Sequence, residues 1–310
     1  MENFEFYSPT RFVFGRGVES KTGELVRKCG GTKVLLHFGG GSIKANGIYG
    51  KVVASLEAAG LAYIPLGGVM PNPRSGLVRE GIELCRREKI DFVLAVGGGS
   101  VIDSAKAIAF GTLYDGDFAD FYFGKDVKAM VPVPAALPVG TVLTLAAAGS
   151  EGSGNSVITL EPDMLKRAAT GDALRPVFSV LNPEFTYTLP PYQTSCGAVD
   201  MFAHVVERYF TPSKGVEISD ELCEGVMRTV VEQSVKALEK PDDYDARKAA
   251  IEDERAAAEE RAREIARRLN EGGGSAPTDE EKGRFLDRFR SFFGLAPRDG
   301  ASKGDPLPFL

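Results

Sequence analysis

The sequence predicts an α/β protein: an N-terminal doubly wound, mostly parallel sheet, then an all-helical domain. Three observations carry this. Short apolar runs bounded by glycine recur at Lys33–Phe38, Ala62–Leu66 and Phe92–Val96. Unbroken runs of that length are how strands buried on both faces of a parallel sheet read. Helical patterns over 47–59 and 75–88 separate them, and alternating strand and helix builds a parallel sheet. From Thr194 the character changes to successive helical patterns, about 193–210, 218–238, 242–269 and 279–293. The expected boundary is Pro190-Pro191. Residues 1–190 then form the α/β domain, 191–296 the helical one, and 297–310, rich in Pro, Gly and Asp, a flexible tail.

Taken in order, Phe4 to Phe14 alternates apolar and polar residues around Pro9, as an edge strand or hairpin does. Gly15 and Gly17 make a turn, and a helix covers Ser20–Cys29. In the helix over 75–88, Leu77, Ile82 and Leu84 are the core candidates. Past Ile108 the chain loosens, with Asp, Gly and aromatics over Asp115–Val127. Pro138 to Glu151 reads as a strand with a loop, and Asn155–Thr159 and Val177–Leu181 as extended segments.

The central unit is residues 91–108. The buried strand Phe92–Val96 runs into Gly97-Gly98-Gly99, and Ser100 is placed to cap a following helix with Asp103 in its first turn. Such a turn lets a diphosphate approach backbone N–H groups at a helix N-terminus. Triple glycine alone leaves a second reading open, a tight strand-to-helix turn with no ligand.

Bulk properties exclude some classes. The 310 residues suffice for two domains, and 43% hydrophobic with 26% charged content supports a large core. A net charge of −6 and a pI near 5.3 argue against a nucleic-acid surface. Cys29, Cys85, Cys196 and Cys223 are scattered without a paired motif, which fits a reducing cytoplasm and gives no cysteine-based zinc module. Charges throughout residues 1–20 leave no signal-peptide core, and no apolar run reaches membrane-spanning length. The expected location is therefore cytoplasmic, with no membrane partner. The histidines are His37, at the end of a buried strand and expected to be structural, and His204.

A series of motifs then becomes specific: Phe-Gly-Gly-Gly-Ser (38–42), Pro-Asn-Pro (71–73), Gly-Gly-Gly-Ser-Val-Ile-Asp-Ser-Ala-Lys (97–106), Gly-Thr (140–141), Gly-Ser-Glu (149–151) and Ala-Val-Asp-Met-Phe-Ala-His (198–204). In this order they resemble the iron-containing alcohol dehydrogenase family, most of all its NADP-dependent butanol dehydrogenase group. The likeness spans residues 1 to about 245. It implies a cofactor in the cleft between the two domains. Gly98, Gly99 and Ser100 would cradle the pyrophosphate and Asp103 would sit near the nicotinamide side. Asn72, Thr141 and Thr144 would line the adenosine or diphosphate path, and Lys166 would reach a cofactor ribose. Asn72 also reads as a turn residue between prolines, and Lys166 as a solvated loop lysine. NAD-preferring members resemble a pattern with an acid where this chain has Gly40. Here Gly39, Gly40, Gly41 and Ser42 offer no acid, and Ser42 with backbone amides can hold a 2′-phosphate, so NADP(H) is expected over NAD(H).

Asp200 and His204 are spaced i, i+4, so both project from one helix face. A carboxylate with an imidazole suits Fe²⁺ or Zn²⁺. The resemblance makes these two metal ligands and requires two more histidines from later helices, yet no histidine follows His204. Cys196 and Glu207 extend the stripe, and Glu224 or Cys223 on the next helix could approach. Otherwise the pair holds at most a weak ion.

Residues 246–269 are mostly Ala, Glu and Arg with sparse apolar points at Ile251, Ile265 and Leu269, an exposed-helix pattern. A Gly272–Ser275 joint follows, then a capping-box pattern at Thr278 and Glu281. Phe285, Leu286, Phe289, Phe292 and Phe293 form an apolar stripe ended by Gly294. It is expected to pack on the helical domain; lying on a membrane surface is the sharper alternative. This stretch is unlike the family, so its metal-binding half reads as truncated or replaced.

Three functions stay open. The first is an NADP-dependent, metal-assisted dehydrogenase or reductase for a small alcohol or aldehyde, with a homodimer as its candidate assembly. The second is an NADP(H)-binding protein without turnover. The third is an interaction module built on the Phe-rich helix. The cofactor motifs favour the first two, and the missing histidines divide them.

Overall fold

The structure, a computed structural model, describes residues 7–122, 131–210 and 216–252. The expectations for the Phe-rich helix, the tail and most of the 242–269 helix lie outside those residues.

Six strands form one sheet: β1 (Arg11–Phe14), β2 (Lys33–Phe38), β3 (Ala62–Leu66), β4 (Phe92–Gly97), β5 (Val139–Leu143) and β8 (Phe178–Leu181). Their order is β1-β8-β5-β4-β2-β3, and every neighbouring pair is parallel. The helices α1 (Thr22–Lys28), α3 (Ile48–Ala58), α4 (Ser75–Glu88) and α5 (Gly99–Leu113) cover its two faces. The alternation of strand residues explains both layers. Phe92, Leu94 and Val96 of β4 pack with Val26, Val52 and Leu56, while Val93 and Ala95 pack with Ile82, Ile102 and Ile108 on the opposite face.

The α4–α5 contact depends on absent side chains. A Cβ at Gly81 would lie 2.4 Å from Ile108 Cδ1, and one at Gly111 would lie 2.3 Å from Ile82 Cδ1. Each helix thus seats the other's isoleucine over a glycine. Of the expected core residues in α4, Ile82 is buried, whereas Leu77 and Leu84 are only partly so; Val78 and Cys85 take the interior positions.

One local expectation needs correction, and two elements are present that the pattern did not disclose. Ser100 does not cap α5: Gly98 is the N-cap, the helix starts at Gly99, and no side chain caps it. A short helix, α2 (Ser42–Ala45), follows the glycines after β2. The segment after 155 is an antiparallel hairpin, β6 (Asn155–Leu160) with β7 (Leu165–Thr170), of which the pattern disclosed only the first strand. Lys166 and Arg167 are charged and exposed, or partly so, and hide the alternation of β7.

Beyond the sheet, α6 (Pro191–Tyr209) and α7 (Glu217–Glu239) pack through Val205, Tyr209, Cys223 and Met227. Residues 244–252 are helical. A Cβ at Gly197 would lie 2.5 Å from the Ala146 carbonyl oxygen, so α6 lies close against the segment that follows β5. Among the described residues, no helix is long and apolar enough to cross a membrane.

Candidate functional site

The sheet order fixes where a ligand can enter. From β2 the chain moves outward to β3, then returns to place β4 on the other side of β2. Open parallel sheets bind ligands outside the carboxyl ends of strands at such a reversal. Phe38 of β2 and Val96 of β4 are in register, so the turns Gly39–Ser42 and Gly97–Gly99 leave the sheet side by side.

Gly97 would bring a Cβ within 2.5 Å of Val101 Cγ2, and its carbonyl accepts the Thr144 N–H at 3.1 Å. This brings the end of β5 onto the turn. Helix α5 has 15 residues and no side-chain cap, so its first N–H groups suit an anion. Gly40 and Gly41 have open space where a side chain would be. Gly39, also singled out, is less open: a Cβ there would lie 3.5 Å from the Val69 carbonyl oxygen. Ser42 begins α2, and two residues on, the Lys44 ammonium lies 5.1 Å from the Phe38 ring centroid and 5.2 Å from that of Tyr49.

Behind the turn, His37 is fully buried. Its Nδ1 lies 2.9 Å from the Leu66 carbonyl oxygen, and its Nε2 2.9 Å from Ser104 Oγ. The carbonyl can only accept, so Nδ1 carries the proton and Ser104 donates to Nε2. Burial pushes the imidazole pKa down to about 4. His37 ties β3 and α5 to the end of β2.

Asp103 lies against the segment 149–157 rather than standing open to a ligand. One carboxylate oxygen accepts from Ser150 Oγ, and the other accepts the Val157 N–H at 3.0 Å. Thr141 is fully buried, donates to Ser179 Oγ at 2.7 Å, and so lines no open path in this structure. It sits mid-strand in β5, where both faces of the sheet are covered. Asn72 and Lys166 do come together: Lys166 Nζ donates to Asn72 Oδ1 at 2.9 Å. Asn72 also has φ 55°, a left-handed turn conformation that asparagine tolerates. Sequence reading gave Lys106 and Ser179 no role. The signal for Lys106 was present: a lysine flanked by Ala105, Ala107 and Ile108 on an apolar helix.

The metal pair stands apart on α6, with His204 Nε2 3.6 Å from Asp200 Oδ1. Cys196 and Glu207 are exposed, Glu224 accepts from Tyr209 Oη at 2.8 Å, and Cys223 is buried in the α6–α7 contact. Among the described residues, no three His, Cys, Asp or Glu side chains come close enough to hold a metal ion. The donors among the described residues therefore do not fit a closed iron or zinc site, which needs ligands from more than one element.

The comparisons agree with this architecture. The sequence profile for iron-containing alcohol dehydrogenase matches residues 9–183. The profile for the C-terminal part of that family matches 194–258, past the point near 245 where the motif likeness ends. The chain is 47% identical over 252 residues to the probable NADH-dependent butanol dehydrogenase 2 of Bacillus subtilis, covering 81% of this chain and 63% of the relative. It is 38% identical over 251 residues to the NADPH-dependent aldehyde reductase YqhD of Escherichia coli, covering 80% and 62%. It thus spans less than two thirds of the length of these relatives. The crystal structure of NADH-dependent butanol dehydrogenase A from Thermotoga maritima superposes with a TM-score of 0.80 at 36% identity, covering 95% of this chain and 84% of that one. Sequence and fold together show that the chain belongs to the iron-containing alcohol dehydrogenase family.

Proposed function

We propose that this chain binds a nicotinamide dinucleotide for hydride transfer between NADP(H) and a primary alcohol or aldehyde. The observation that carries the reading is the pairing of two glycine turns, Gly39–Ser42 and Gly97–Gly99, at the reversal of a parallel sheet. In this reading residues 1–190 hold the dinucleotide and α6 forms the far wall of the cleft. Amides of Gly99 and Ser100 take the pyrophosphate, Thr144 flanks it, and Asn72 and Lys166 meet the adenosine side as a pair. The nicotinamide, when bound, supplies or accepts the hydride.

NADP(H) is proposed over NAD(H) for two reasons. The 39–42 turn holds no acid to repel a 2′-phosphate. Lys44, two residues past Ser42, places a cation 5.1 Å from the Phe38 ring centroid at the end of β2, and Gly40 and Gly41 leave open space in the turn between them. The named relatives include both NADH- and NADPH-dependent enzymes, so this choice rests on the chain's own residues.

Asp200 and His204 alone do not make a closed metal site, and no chemical step is assigned to a metal here. Binding without turnover is therefore the second reading, favoured by that two-donor set. Fluorescence titration of the purified chain with NADPH and NADH tests the proposal. Saturable NADPH binding tighter than NADH is expected. Tighter NADH binding overturns the NADP(H) choice, and no binding of either overturns the dinucleotide site.

A further inference from the structure

The segment from Gly149 to Asn155 has no regular structure before β6, yet each of its carbonyls has a donor. Gly152 N–H serves Gly149, and Gly171 N–H serves Gly154. Ser179 Oγ donates to the Glu151 carbonyl at 2.6 Å, and Arg175 Nη1 to that of Gly152 at 3.1 Å. The remaining three belong to one side chain. Lys106 Nζ donates to the carbonyls of Ser150, Ser153 and Asn155 at 2.7, 2.8 and 2.9 Å. Lys106 is fully buried on α5, one turn past Asp103, whose carboxylate accepts from Ser150 Oγ and Val157 N–H.

This loop borders the α5 N-terminus. A Cβ on Gly99 would lie 3.8 Å from Ser150 Cβ, so Ser150 faces the start of the helix. Three carbonyls around one ammonium satisfy its three protons, and a backbone held this way is fixed before any ligand arrives. Thr141 extends the arrangement, since it orients the Ser179 hydroxyl that holds Glu151.

We propose that Lys106, with Asp103, is a positioning residue that holds the 149–155 loop against the Gly98–Gly99 turn and so sets the shape of the dinucleotide cradle. The inference rests on the dinucleotide reading above. Lys106 touches no ligand in it; its effect passes through Ser150.

The test compares dinucleotide affinity with stability. Lys106→Met leaves three carbonyls without their donor, and it should raise the NADPH dissociation constant at least about tenfold, read well below the melting temperature. Val52→Ala, a cavity variant in the opposite layer, serves as a control with lowered stability and should bind NADPH as the wild type does. If Lys106→Met does not fold, Ser179→Ala, at a side chain buried within the sheet, releases the same loop at Glu151 and should raise the dissociation constant about threefold. Wild-type NADPH affinity in a folded Lys106→Met, or in Ser179→Ala where that variant stands in, overturns the inference and leaves the dinucleotide site standing. Failure of the wild type to bind NADPH or NADH overturns that site and this inference with it.

Discussion

Lys166 and Asn72 meet through a 2.9 Å hydrogen bond although 94 positions separate them in the chain. One lies on the β6–β7 hairpin and the other in the Pro-Asn-Pro turn before α4. The bond brings the exposed ammonium to the turn. Asn72 serves twice, as a residue able to adopt φ 55° and as the acceptor. Asn72→Gly keeps the backbone and loses the bond, so its melting temperature should stay within a few degrees while dinucleotide affinity falls. Asn72→Ala keeps a Cβ in the left-handed region without the amide that lets asparagine tolerate it, and should be about 1–2 kcal/mol less stable than Asn72→Gly. Thermal melting beside fluorescence titration separates the two; equal affinity of Asn72→Gly and the wild type removes the pair from the binding site.

Gly99 opens α5 without strain, and an added Cβ would reach Ser150 at 3.8 Å. A branched side chain there occupies the space assigned to the diphosphate. Gly99→Val should fold and should bind NADPH at least about tenfold more weakly, a loss of about 1.4 kcal/mol. Unchanged titration curves would remove the diphosphate from this turn.

His37 gives the fold a pH dependence. Its folded pKa of about 4 lies below the ordinary 6.5, because burial disfavours the charged ring. The unfolded chain therefore binds the extra proton between those values. Stability from this group is complete above about pH 6.5 and is lost as pH falls toward 4, by roughly 3 kcal/mol in all. Denaturant unfolding at pH 7 and pH 5 checks this. His37→Gln, which can keep one hydrogen bond, should lower stability at pH 7 but flatten that slope; an equally steep profile in the variant would assign the pH effect to other groups.

The metal pair predicts little chemistry. Asp200 is exposed and His204 partly so, and two donors from one helix do not close around an ion. Calorimetric titration with Zn²⁺ or Fe²⁺ should show only weak binding, abolished in His204→Ala with no change in melting temperature. NADPH consumption with short aliphatic aldehydes should be orders of magnitude below about one turnover per second, whether chelator or metal is added, since each 1.36 kcal/mol of lost stabilisation is about tenfold in rate. Metal-stimulated turnover near that rate, lost in His204→Ala, would show that further ligands reach this pair.

The sequence by itself determined the sheet and its turns. Apolar runs at Lys33–Phe38, Ala62–Leu66 and Phe92–Val96 and the glycines closing the first and last of them encode local conformation, so they read directly along the chain. The i, i+4 spacing of Asp200 and His204 was legible for the same reason, because helix periodicity is local. What only the tertiary structure decided was which polar side chains face a ligand and which face the protein. Thr141 looked available and is buried on Ser179; Asp103 looked available and is engaged by Ser150 and Val157. Lys106 carried no assigned role, yet it gathers three carbonyls from residues 44 to 49 positions away. Those partners lie across a strand and a loop, and no periodicity along the chain records a contact made through space. The burial that gives such a lysine or histidine its partners exists only once the sheet has closed beneath its helices.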